Sequence, residues 1–245
     1  NTSMWIFNLR KDLPKRSYKT QSFEDKLEFI GVLALFVCSL LTIFIFFPIL
    51  DHSTKRVFVP VFAFIVIQQL TTFCTSFWVD PGYVQQTTSE SKADNEENIC
   101  KHCSVLKPKR AHHCKQCGKC VDLYDHHCMF ILNCVGRNNF RYLFKFLVYS
   151  VVHGAISIPL GLYSFISQKA GVHYFGGTLK NGKFQALAFI FPIGATIFGW
   201  LFSWYVLVGL LQTVRSRKTI VERLKKLEGG EILEKGWVGW MFTFK

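Results

Sequence analysis

Long apolar runs alternate with charged and polar stretches along the 245 residues of this chain. Four of these runs reach the roughly 20 residues that a helix needs to cross the ~30 Å hydrocarbon core of a bilayer. They cover residues 29–50, 57–79, 142–165 and 184–211. The pattern therefore predicts an integral membrane, all-α fold with four transmembrane helices.

The polar stretches divide the chain into five segments. The charged N-terminal stretch precedes the first run with no small-residue cleavage site, so we interpret that run as a retained helix and not as a signal peptide. No long internal repeat is evident. The predicted organisation is an N-terminal segment at 1–28, helices 1 and 2 at 29–79, a cysteine-rich domain at 80–141, helices 3 and 4 at 142–211, and a C-terminal segment at 212–245.

Charge predicts the orientation of these segments. Most of the 29 Lys and Arg lie in the two terminal segments and the cysteine-rich domain. The positive-inside rule then places both termini and this domain in the cytosol, and the bilayer is the first expected partner. The choice of compartment between an endomembrane (endoplasmic reticulum or Golgi) and the plasma membrane stays open. The net charge of +13 is spread along the membrane flanks instead of forming one basic stripe, which argues against a nucleic-acid partner.

The cysteine-rich domain carries candidate metal ligands. Seven cysteines and five histidines fall between Cys100 and Cys134. Cytosolic thiols rarely form structural disulfides, so metal binding and catalysis are the main explanations for them. A two-residue gap lets both sulfurs of a turn reach one metal ion. That gap occurs in Cys100-x-x-Cys103, Cys114-x-x-Cys117 and Cys117-x-x-Cys120.

The count of ligands favours two zinc sites. Six thiols and two histidines would complete two Cys3His sites and leave Cys128 over. A single site built from the first four cysteines is the alternative, and it would leave Cys120 and Cys134 without a role. Bound metal would supply folding free energy to a domain too small for a large apolar core. Spacing does not choose the two histidine ligands from His102, His112, His113, His126 and His127.

Cys128 ends the run Asp125-His126-His127-Cys128. An imidazole and a carboxylate close to a thiol are the groups that nucleophilic catalysis by sulfur requires, so the run predicts an enzyme. A second hypothesis is a non-catalytic, membrane-tethered zinc module that recruits cytosolic proteins. A third is a channel or transporter with a metal sensor, which is disfavoured because the apolar runs lack the paired charges typical of a transport path.

These residues resemble the DHHC-type protein S-acyltransferases, or palmitoyltransferases. The similarity runs nearly position for position from Cys100 to Asn139 and centres on Asp125-His126-His127-Cys128. Asp80-Pro81-Gly82 is similar to the family's motif after the second helix, and Thr219-Ile220-Val221-Glu222 to its Thr-Thr-x-Glu motif. With four apolar runs around the cysteine-rich domain, the resemblance covers most of the chain.

The resemblance implies transfer of a long-chain fatty acyl group, such as palmitoyl, from acyl-CoA to cysteines of substrate proteins. Cys128 would form the acyl-enzyme, His126 would act as its base, and Asp125 would orient His126. The implied partners are palmitoyl-CoA or another long-chain acyl-CoA, proteins with juxtamembrane cysteines, and an accessory subunit where one is needed. Two structural zinc ions are implied, with Cys100, Cys103, His113 and Cys120 on one and Cys114, Cys117, His127 and Cys134 on the other.

Contacts with the acyl-CoA are predicted from charge and position. Phe130, two residues after the candidate nucleophile, is a candidate apolar wall for the acyl thioester. Four basic residues lie near the predicted cytosolic membrane surface and could meet the CoA phosphates, although contact with lipid headgroups explains each one better. They are Arg137, Arg141, Arg217 and Lys218.

The chain departs from the family's pattern at several positions. Met129-Phe130 follow the nucleophile where the family usually has Pro-Trp, so the loop loses the fixed φ of proline and keeps an aromatic ring without an indole N–H. This departure is the best support for the non-catalytic hypothesis. Ile220 replaces the second threonine of Thr-Thr-x-Glu, Leu143 replaces a usual Phe, and the family's asparagine-containing C-terminal motif is not evident after Asn181.

Overall fold

The computed structural model describes residues 50, 52–85, 99–169 and 182–227, with a few helical positions between Leu27 and Val37. Within the described residues, three helices are long and apolar enough to cross a membrane. They are α1 (His52–Trp78), α2 (Phe140–Lys169) and α3 (Gly182–Ser216). The apolar run at 29–50 lies almost wholly outside the described residues, so the fourth transmembrane helix stays a prediction.

These helices confirm three of the four apolar runs and extend beyond them. Residues 52–56, expected as part of a loop, form the first turns of α1 because nothing there breaks a helix before Pro60. The third helix likewise continues to Ser216, past the predicted end of its apolar run. Large apolar side chains such as Val57 and Phe191 are exposed on these helices, as expected for surfaces that face lipid.

The chain forms two compact units. The membrane unit comprises the described residues of 27–72 and 144–212, and the Cys-rich unit comprises the described residues of 73–143 and those from Thr213 onward.

Three hydrogen bonds tie the helices of the membrane unit together. The buried Gln69 of α1 donates to Ser150 Oγ of α2 at 2.9 Å and accepts from His153 Nδ1 at 2.8 Å. Trp200 of α3 donates its indole N–H to the carbonyl of Val151 at 2.9 Å. Polar groups in hydrocarbon need such partners because no water is present to replace them.

The Cys-rich unit contains two short antiparallel hairpins. Strand β1 (His112–Cys114) pairs with β2 (Lys119–Val121), and β3 (His126–Cys128) pairs with β4 (Asn133–Val135). Gly118 turns the first hairpin with φ of 64°, and Leu132 turns the second with φ of 46°. A short helix, α4 (Ile220–Leu227), follows α3 after a turn.

Two buried asparagines brace the second hairpin. Asn133 Nδ2 lies 3.2, 3.2 and 2.9 Å from the carbonyls of Ser76, Phe77 and Val79 at the C-terminal end of α1. Asn139 Nδ2 donates to the Cys134 carbonyl at 2.7 Å. These bonds satisfy carbonyls that a helix end leaves without partners, and they fix the hairpin on residues 76–79.

Candidate active site and metal-binding clusters

Eight cysteine and histidine side chains form two compact clusters. In each cluster the ligand atoms lie within 4.8 Å of one another, so each could hold a metal ion. The two sets coincide with the two groups that the resemblance implies. The first cluster is Cys100, Cys103, His113 and Cys120, and the second cluster is Cys114, Cys117, His127 and Cys134.

The spacing within each cluster fits tetrahedral zinc. With Zn–S near ~2.3 Å and Zn–N near ~2.0–2.1 Å, neighbouring ligand atoms should stand about 3.5–3.8 Å apart. In the first cluster, Cys103 Sγ lies 3.6 Å from Cys120 Sγ, and Cys100 Sγ lies 3.6 Å from His113 Nδ1. The donor set of three thiols and one imidazole is also one that zinc prefers.

The second cluster has the same dimensions. His127 Nδ1 lies 3.7 Å from Cys114 Sγ, 3.4 Å from Cys117 Sγ and 3.6 Å from Cys134 Sγ. Hydrogen bonds from Cys114 and then Cys134 lower the pKa of Cys117 far below its ordinary value, while the same crowding raises the pKa of Cys134. Ionised and protonated thiols so close together form a site that a divalent cation would stabilise.

The strand pairing explains which histidines join the clusters. His113 stands directly opposite Cys120 in the first hairpin, and His127 stands directly opposite Cys134 in the second. Side chains opposed in this way have Cβ atoms about 4.5–5.5 Å apart. Each hairpin therefore supplies one His–Cys pair to one cluster.

Alternation along β3 separates the two neighbouring histidines. Successive side chains of a strand point to opposite faces. His127 is directed to the second cluster, so His126 and Cys128 share the other face. The strand thus places one histidine in a cluster that could hold metal and the other beside the candidate nucleophile, a choice that spacing alone left open.

The three candidate catalytic side chains are buried and connected. Asp125 is 1%, His126 3% and Cys128 7% exposed. His126 Nδ1 lies 3.0 Å from Asp125 Oδ2, and since a carboxylate only accepts, Nδ1 carries the proton. His126 also hydrogen-bonds to Cys128, which leaves Nε2 as the nitrogen that faces the thiol.

The electrostatics of this set favour an ionised thiol. Burial alone would lower the pKa of His126, but its bonds to Asp125 and Cys128 outweigh burial and raise that pKa to about 9. Burial likewise opposes ionisation of Cys128, but the hydrogen bond with His126 and a backbone N–H from Ile131 lower its pKa below the ordinary value. A thiolate next to a protonated imidazole is the reactive form of a cysteine nucleophile.

The second oxygen of Asp125 is held by the C-terminal segment. The backbone N–H of Ile220, the first residue of α4, donates to Asp125 Oδ1 at 2.7 Å. Thr219 and Glu222 cap this helix reciprocally: Thr219 N–H donates to Glu222 Oε2 at 2.8 Å, and Glu222 N–H lies 3.3 Å from Thr219 Oγ1. Ile220 stands where the Thr-Thr-x-Glu motif has its second threonine, so no side-chain hydroxyl is present at this position. The backbone N–H of Ile220 contacts Asp125 there.

Arg110 links this turn to the cysteine-rich sequence. Its guanidinium donates two hydrogen bonds to the Glu222 carboxylate, at 2.6 Å to Oε1 and at 2.8 Å to Oε2. It also donates to the Arg217 carbonyl at 2.9 Å. The bond to Arg110 lowers the pKa of Glu222 to about 2, against the raising effect of burial. Sequence reasoning gave no role to Arg110 or to the Ile220 N–H. The position of Arg110 inside the cysteine-rich motif could have suggested a role for this cation. The N–H of Ile220 is a backbone group, and the sequence carries no signal for its contact.

A pocket of about 290 Å³ lies beside Asp125 within the Cys-rich unit. Three of the four predicted CoA-binding residues line it, namely Arg137, Arg217 and Lys218, together with Arg110. Arg137 also pairs with Asp122. The apolar part of the lining is Leu123, Phe140 and Val214.

Two predicted residues lie elsewhere. Arg141 is absent from the pocket lining and instead contacts Tyr142, with its NH2 2.8 Å from the phenol oxygen and its guanidinium carbon 4.7 Å from the ring centre. Phe130 follows the nucleophile in a 3₁₀ turn, Met129–Ile131, and is half-buried outside that lining.

Apolar helices of membrane-spanning length, two Cys/His clusters that could hold metal, and a buried thiol next to a His–Asp pair define the class: a membrane protein whose cysteine-rich unit carries candidate metal-binding and catalytic sites. Residues 93–227, more than half of the chain, match the DHHC palmitoyltransferase family. The chain belongs to this family.

Relatives with curated names agree with this assignment. "Probable protein S-acyltransferase 12" of Arabidopsis thaliana is 28% identical over 152 residues, covering 54% of this chain and 50% of the relative. "Probable protein S-acyltransferase 16" of the same plant is 27% identical over 187 residues, 71% of this chain and 64% of the relative. "Palmitoyltransferase ZDHHC15" of Homo sapiens is 35% identical over 95 residues, 38% of this chain and 26% of the relative. The chain thus spans from about a quarter to just under two thirds of these relatives.

Proposed function

We propose that this protein is a protein S-acyltransferase that moves a long-chain acyl group, such as palmitoyl, from acyl-CoA to cysteines of substrate proteins. The observation that carries the proposal is the buried, hydrogen-bonded set of Asp125, His126 and Cys128. Family membership supports the reaction class. The geometry supports Cys128 as the nucleophile, His126 as its base and Asp125 as the group that orients the base.

The reaction proceeds in two steps. His126 Nε2 takes the proton of Cys128, and the thiolate attacks the thioester carbonyl of acyl-CoA. CoA leaves as a thiolate and receives that proton, so one thioester replaces another. In the second step a substrate cysteine attacks the Cys128 thioester, takes the acyl group and returns the thiol.

Asp125 keeps His126 in the tautomer that this sequence needs. Its Oδ2 accepts the Nδ1 proton, so Nε2 can receive the proton of the nucleophile. Its Oδ1 accepts from Ile220 N–H, which prevents the carboxylate from turning away. Both bonds lie in a buried site, where hydrogen bonds to charged groups are worth roughly 1.5–3 kcal/mol.

The basic pocket is the proposed site for the CoA phosphates. Arg217 and Lys218 are exposed, and Arg137 and Arg110 complete a cluster of cations around an opening that Asp125 also lines. Guanidinium groups bind phosphate through paired N–H bonds. Since the pocket includes Asp125, a CoA held there would lie next to the catalytic set.

The two clusters are proposed to hold one structural zinc ion each. Bound zinc would cross-link the loop and stabilise its fold, and the hairpins carry the ligands that it joins. Because His127 lies between His126 and Cys128, a ligand bond at His127 would also restrict the strand that carries the catalytic pair.

The remaining features of the proposal concern the membrane. Four transmembrane helices with both termini and the Cys-rich unit in the cytosol fit the charge pattern. The domain bounds given above belong to the same proposal, as do an endomembrane or plasma-membrane location and substrates with juxtamembrane cysteines.

Formation of the acyl-enzyme tests the proposal. The purified protein, Cys128→Ser and Cys74→Ser would each be incubated with labelled palmitoyl-CoA, and their zinc content measured. Cys74 is an exposed cysteine of α1 outside both clusters, which makes it a matched control. We expect a label that neutral hydroxylamine removes on the wild type and on Cys74→Ser, and none on zinc-replete Cys128→Ser. Equal labelling of Cys128→Ser would refute the assignment of the nucleophile.

A non-catalytic zinc module is the second candidate. The burial of Cys128 favours it, because a thiol that is 7% exposed must become accessible to meet a thioester, and so does Met129-Phe130 in place of Pro-Trp. Absence of label on a wild type that contains two zinc ions per chain, and that stays unlabelled when membranes of its source are added back, would support this candidate over the enzyme.

A further inference from the structure

Two tyrosines pack against the second cluster. Tyr83 and Tyr124 are half-buried and lie against Cys114, Cys134 and Val121. The backbone of Tyr83 is fixed from two sides, since its N–H donates to Asp80 Oδ1 at 2.8 Å and it forms an antiparallel bridge with Val121.

The phenols of these tyrosines stand beside the thiols. Tyr83, Tyr124 and Cys117 all pack against the buried core that contains Cys114 and Cys134. A phenol donates a hydrogen bond, and an ionised sulfur accepts one. Two phenols are therefore placed to donate to sulfurs of this one cluster.

The first cluster has different surroundings. The buried core around Cys100 and Cys120 includes Val105, with Val84 and Cys103 packed against it. These apolar neighbours include no tyrosine. The ring of His102 lies 4.8 Å from that of His113, and, against the raising effect of burial, the backbone N–H groups of His102 and Cys103 lower the pKa of Cys100. The two clusters share a ligand set, but among the described residues only the second has tyrosines packed against its core.

We propose that Tyr83 and Tyr124 are outer-sphere hydrogen-bond donors to the metal-bound thiolates of the second cluster, and that they hold its metal ion more tightly than the first cluster holds its own. The proposal rests on the zinc assignment made above and not on the acyl-transfer reaction. Donors of this kind spread the negative charge of a ligand and orient it, and losing one typically costs about 10–100-fold in metal affinity.

The position of these tyrosines gives them a functional consequence. Tyr124 precedes Asp125, and its target cluster includes His127, which lies between His126 and Cys128. A firmly held ion in the second cluster fixes β3 and with it the catalytic pair. Tyr83 and Tyr124 are thus positioning residues, acting on the nucleophile through the metal.

The contact of Lys119 with Tyr83 supports the donor role. Lys119 Nζ lies 4.9 Å from the centre of the Tyr83 ring. A cation over the ring face is attracted by the ring, and it makes the phenol a stronger donor. It also restricts the orientation of the ring.

Zinc release from the full chain tests the proposal. Wild type, Tyr83→Phe and Tyr124→Phe, each purified with zinc, would be mixed with a strong chelator, and release followed with a colorimetric zinc indicator. In parallel, N-ethylmaleimide labelling and mass spectrometry would show which cysteines lose protection. The control is Tyr142→Phe, which removes a phenol of the same unit that contacts Arg141 and not a cluster.

We expect each cluster-facing variant to release one of its two zinc ions about ten-fold faster than the wild type. The early labelling should fall on Cys114, Cys117 and Cys134, while the cysteines of the first cluster and the Tyr142→Phe control keep wild-type protection. If Tyr124→Phe purifies with a single zinc ion, labelling confined to the cysteines of the second cluster supports the proposal. If Tyr124→Phe loses all its zinc, the release rate and labelling of Tyr83→Phe decide whether the proposal holds.

Two outcomes overturn the inference: wild-type release rates in both variants, or equal acceleration at both clusters. Failure of the underlying zinc assignment looks different, because the wild type itself would then contain no zinc. Metal content of the wild type therefore separates the two kinds of failure.

Discussion

Replacing Asp125 with asparagine is the sharpest test of the catalytic set. The substitution keeps the size and shape of the side chain but offers one acceptor oxygen and one donating amide in place of two acceptors. Both carboxylate oxygens now accept bonds, from Ile220 N–H at 2.7 Å and from His126 Nδ1 at 3.0 Å. Whichever way the new amide is turned, one of these contacts is lost.

The structure predicts the cost of either orientation. If the amide oxygen keeps the Ile220 bond, the NH2 faces His126 Nδ1, and Nδ1 must accept a hydrogen bond from it. The imidazole proton then moves to Nε2. In this tautomer Nε2 can no longer receive the proton of Cys128. If the oxygen faces His126, the NH2 opposes Ile220 N–H in a site that is 1% exposed, at a cost of roughly 1–3 kcal/mol. We expect the first orientation, and a fall in the rate of acyl-enzyme formation of about 10²- to 10⁴-fold, or about 3–5 kcal/mol of activation free energy.

The assay is single-turnover labelling with saturating palmitoyl-CoA, with zinc content as the test of folding. Asp122→Asn is the matched control, since it removes the same charge three residues earlier without contacting His126 and should keep the wild-type rate at saturation. An Asp125→Asn protein with two zinc ions and more than about a tenth of the wild-type rate would refute the role given to Asp125, because the wrong tautomer cannot sustain such a rate.

Three further predictions concern stability, measured by thermal unfolding in detergent. Asn133→Ala leaves carbonyls at the end of α1 without their donor and should cost about 1–3 kcal/mol; an unchanged midpoint would contradict the bracing role. Gly154→Ala places a Cβ 2.2 Å from Trp200 Cδ1 and should cost about 1–3 kcal/mol by overpacking while zinc content stays at two per chain; a Trp200→Leu background should relieve the clash. Glu222→Gln should cost about 1 kcal/mol at pH 7, because Arg110 is 40% exposed and solvent screens the pair. Since folding lowers the pKa of Glu222 from 4.5 to about 2, the stabilisation by this ion pair is complete above pH 4.5 and declines as the pH falls towards 2. The stability lost by Glu222→Gln at pH 7 should also be smaller in high salt. A loss that does not depend on salt would argue against an ion pair.

Much of this architecture was predictable from the sequence because its signals are strong. The length of an apolar run reflects a single physical constraint, the thickness of the hydrocarbon core that a helix must cross. Three of the four runs coincide with helices α1, α2 and α3. The two-residue cysteine gaps likewise indicated metal binding. Helix ends were less predictable, since nothing at 52–56 or 212–216 interrupts a helix although the apolar run has ended.

The catalytic surroundings were less predictable because they depend on contacts between distant residues. The fork of Arg110 onto Glu222 joins positions 112 residues apart, and the bond from Ile220 to Asp125 joins positions 95 apart. The latter uses a backbone N–H, which every residue except proline carries. Arg141 was assigned to the CoA phosphates by proximity to the membrane surface alone, and it contacts Tyr142 instead.

The choice of histidine ligands could have been narrowed further than it was. Adding 14 to every residue number of the first cluster gives the second cluster. Of the five histidines in the loop, only two pairs are separated by 14, His112 with His126 and His113 with His127. The strand register then selects the second pair, because His113 and His127 stand opposite Cys120 and Cys134.

The same shift of 14 explains why Cys128 lies outside both clusters. His-His-Cys occurs at 112–114 and again at 126–128. In the first copy, Cys114 opens a turn of the second cluster: Cys117 N–H donates to Cys114 Sγ at 3.4 Å, and Cys117 adds a second sulfur. In the second copy, Ile131 stands at the equivalent position, three residues after Cys128, but its side chain supplies no sulfur.

Cys128 and Ile131 therefore have the spacing of the Cys114–Cys117 turn without its second sulfur. Ile131→Cys restores the missing sulfur and should turn the nucleophile into half of a third metal site. We expect added zinc to inhibit acyl-enzyme formation by Ile131→Cys at concentrations that do not affect Ile131→Ser, a control of similar volume without the thiol. Both variants remove a side chain that is 1% exposed, so any common loss of rate reports packing. If zinc inhibits both variants equally, the turn at Cys128 does not have the geometry of a metal-binding turn. The lack of a cysteine at position 131 would then not be the reason why Cys128 lies outside the clusters.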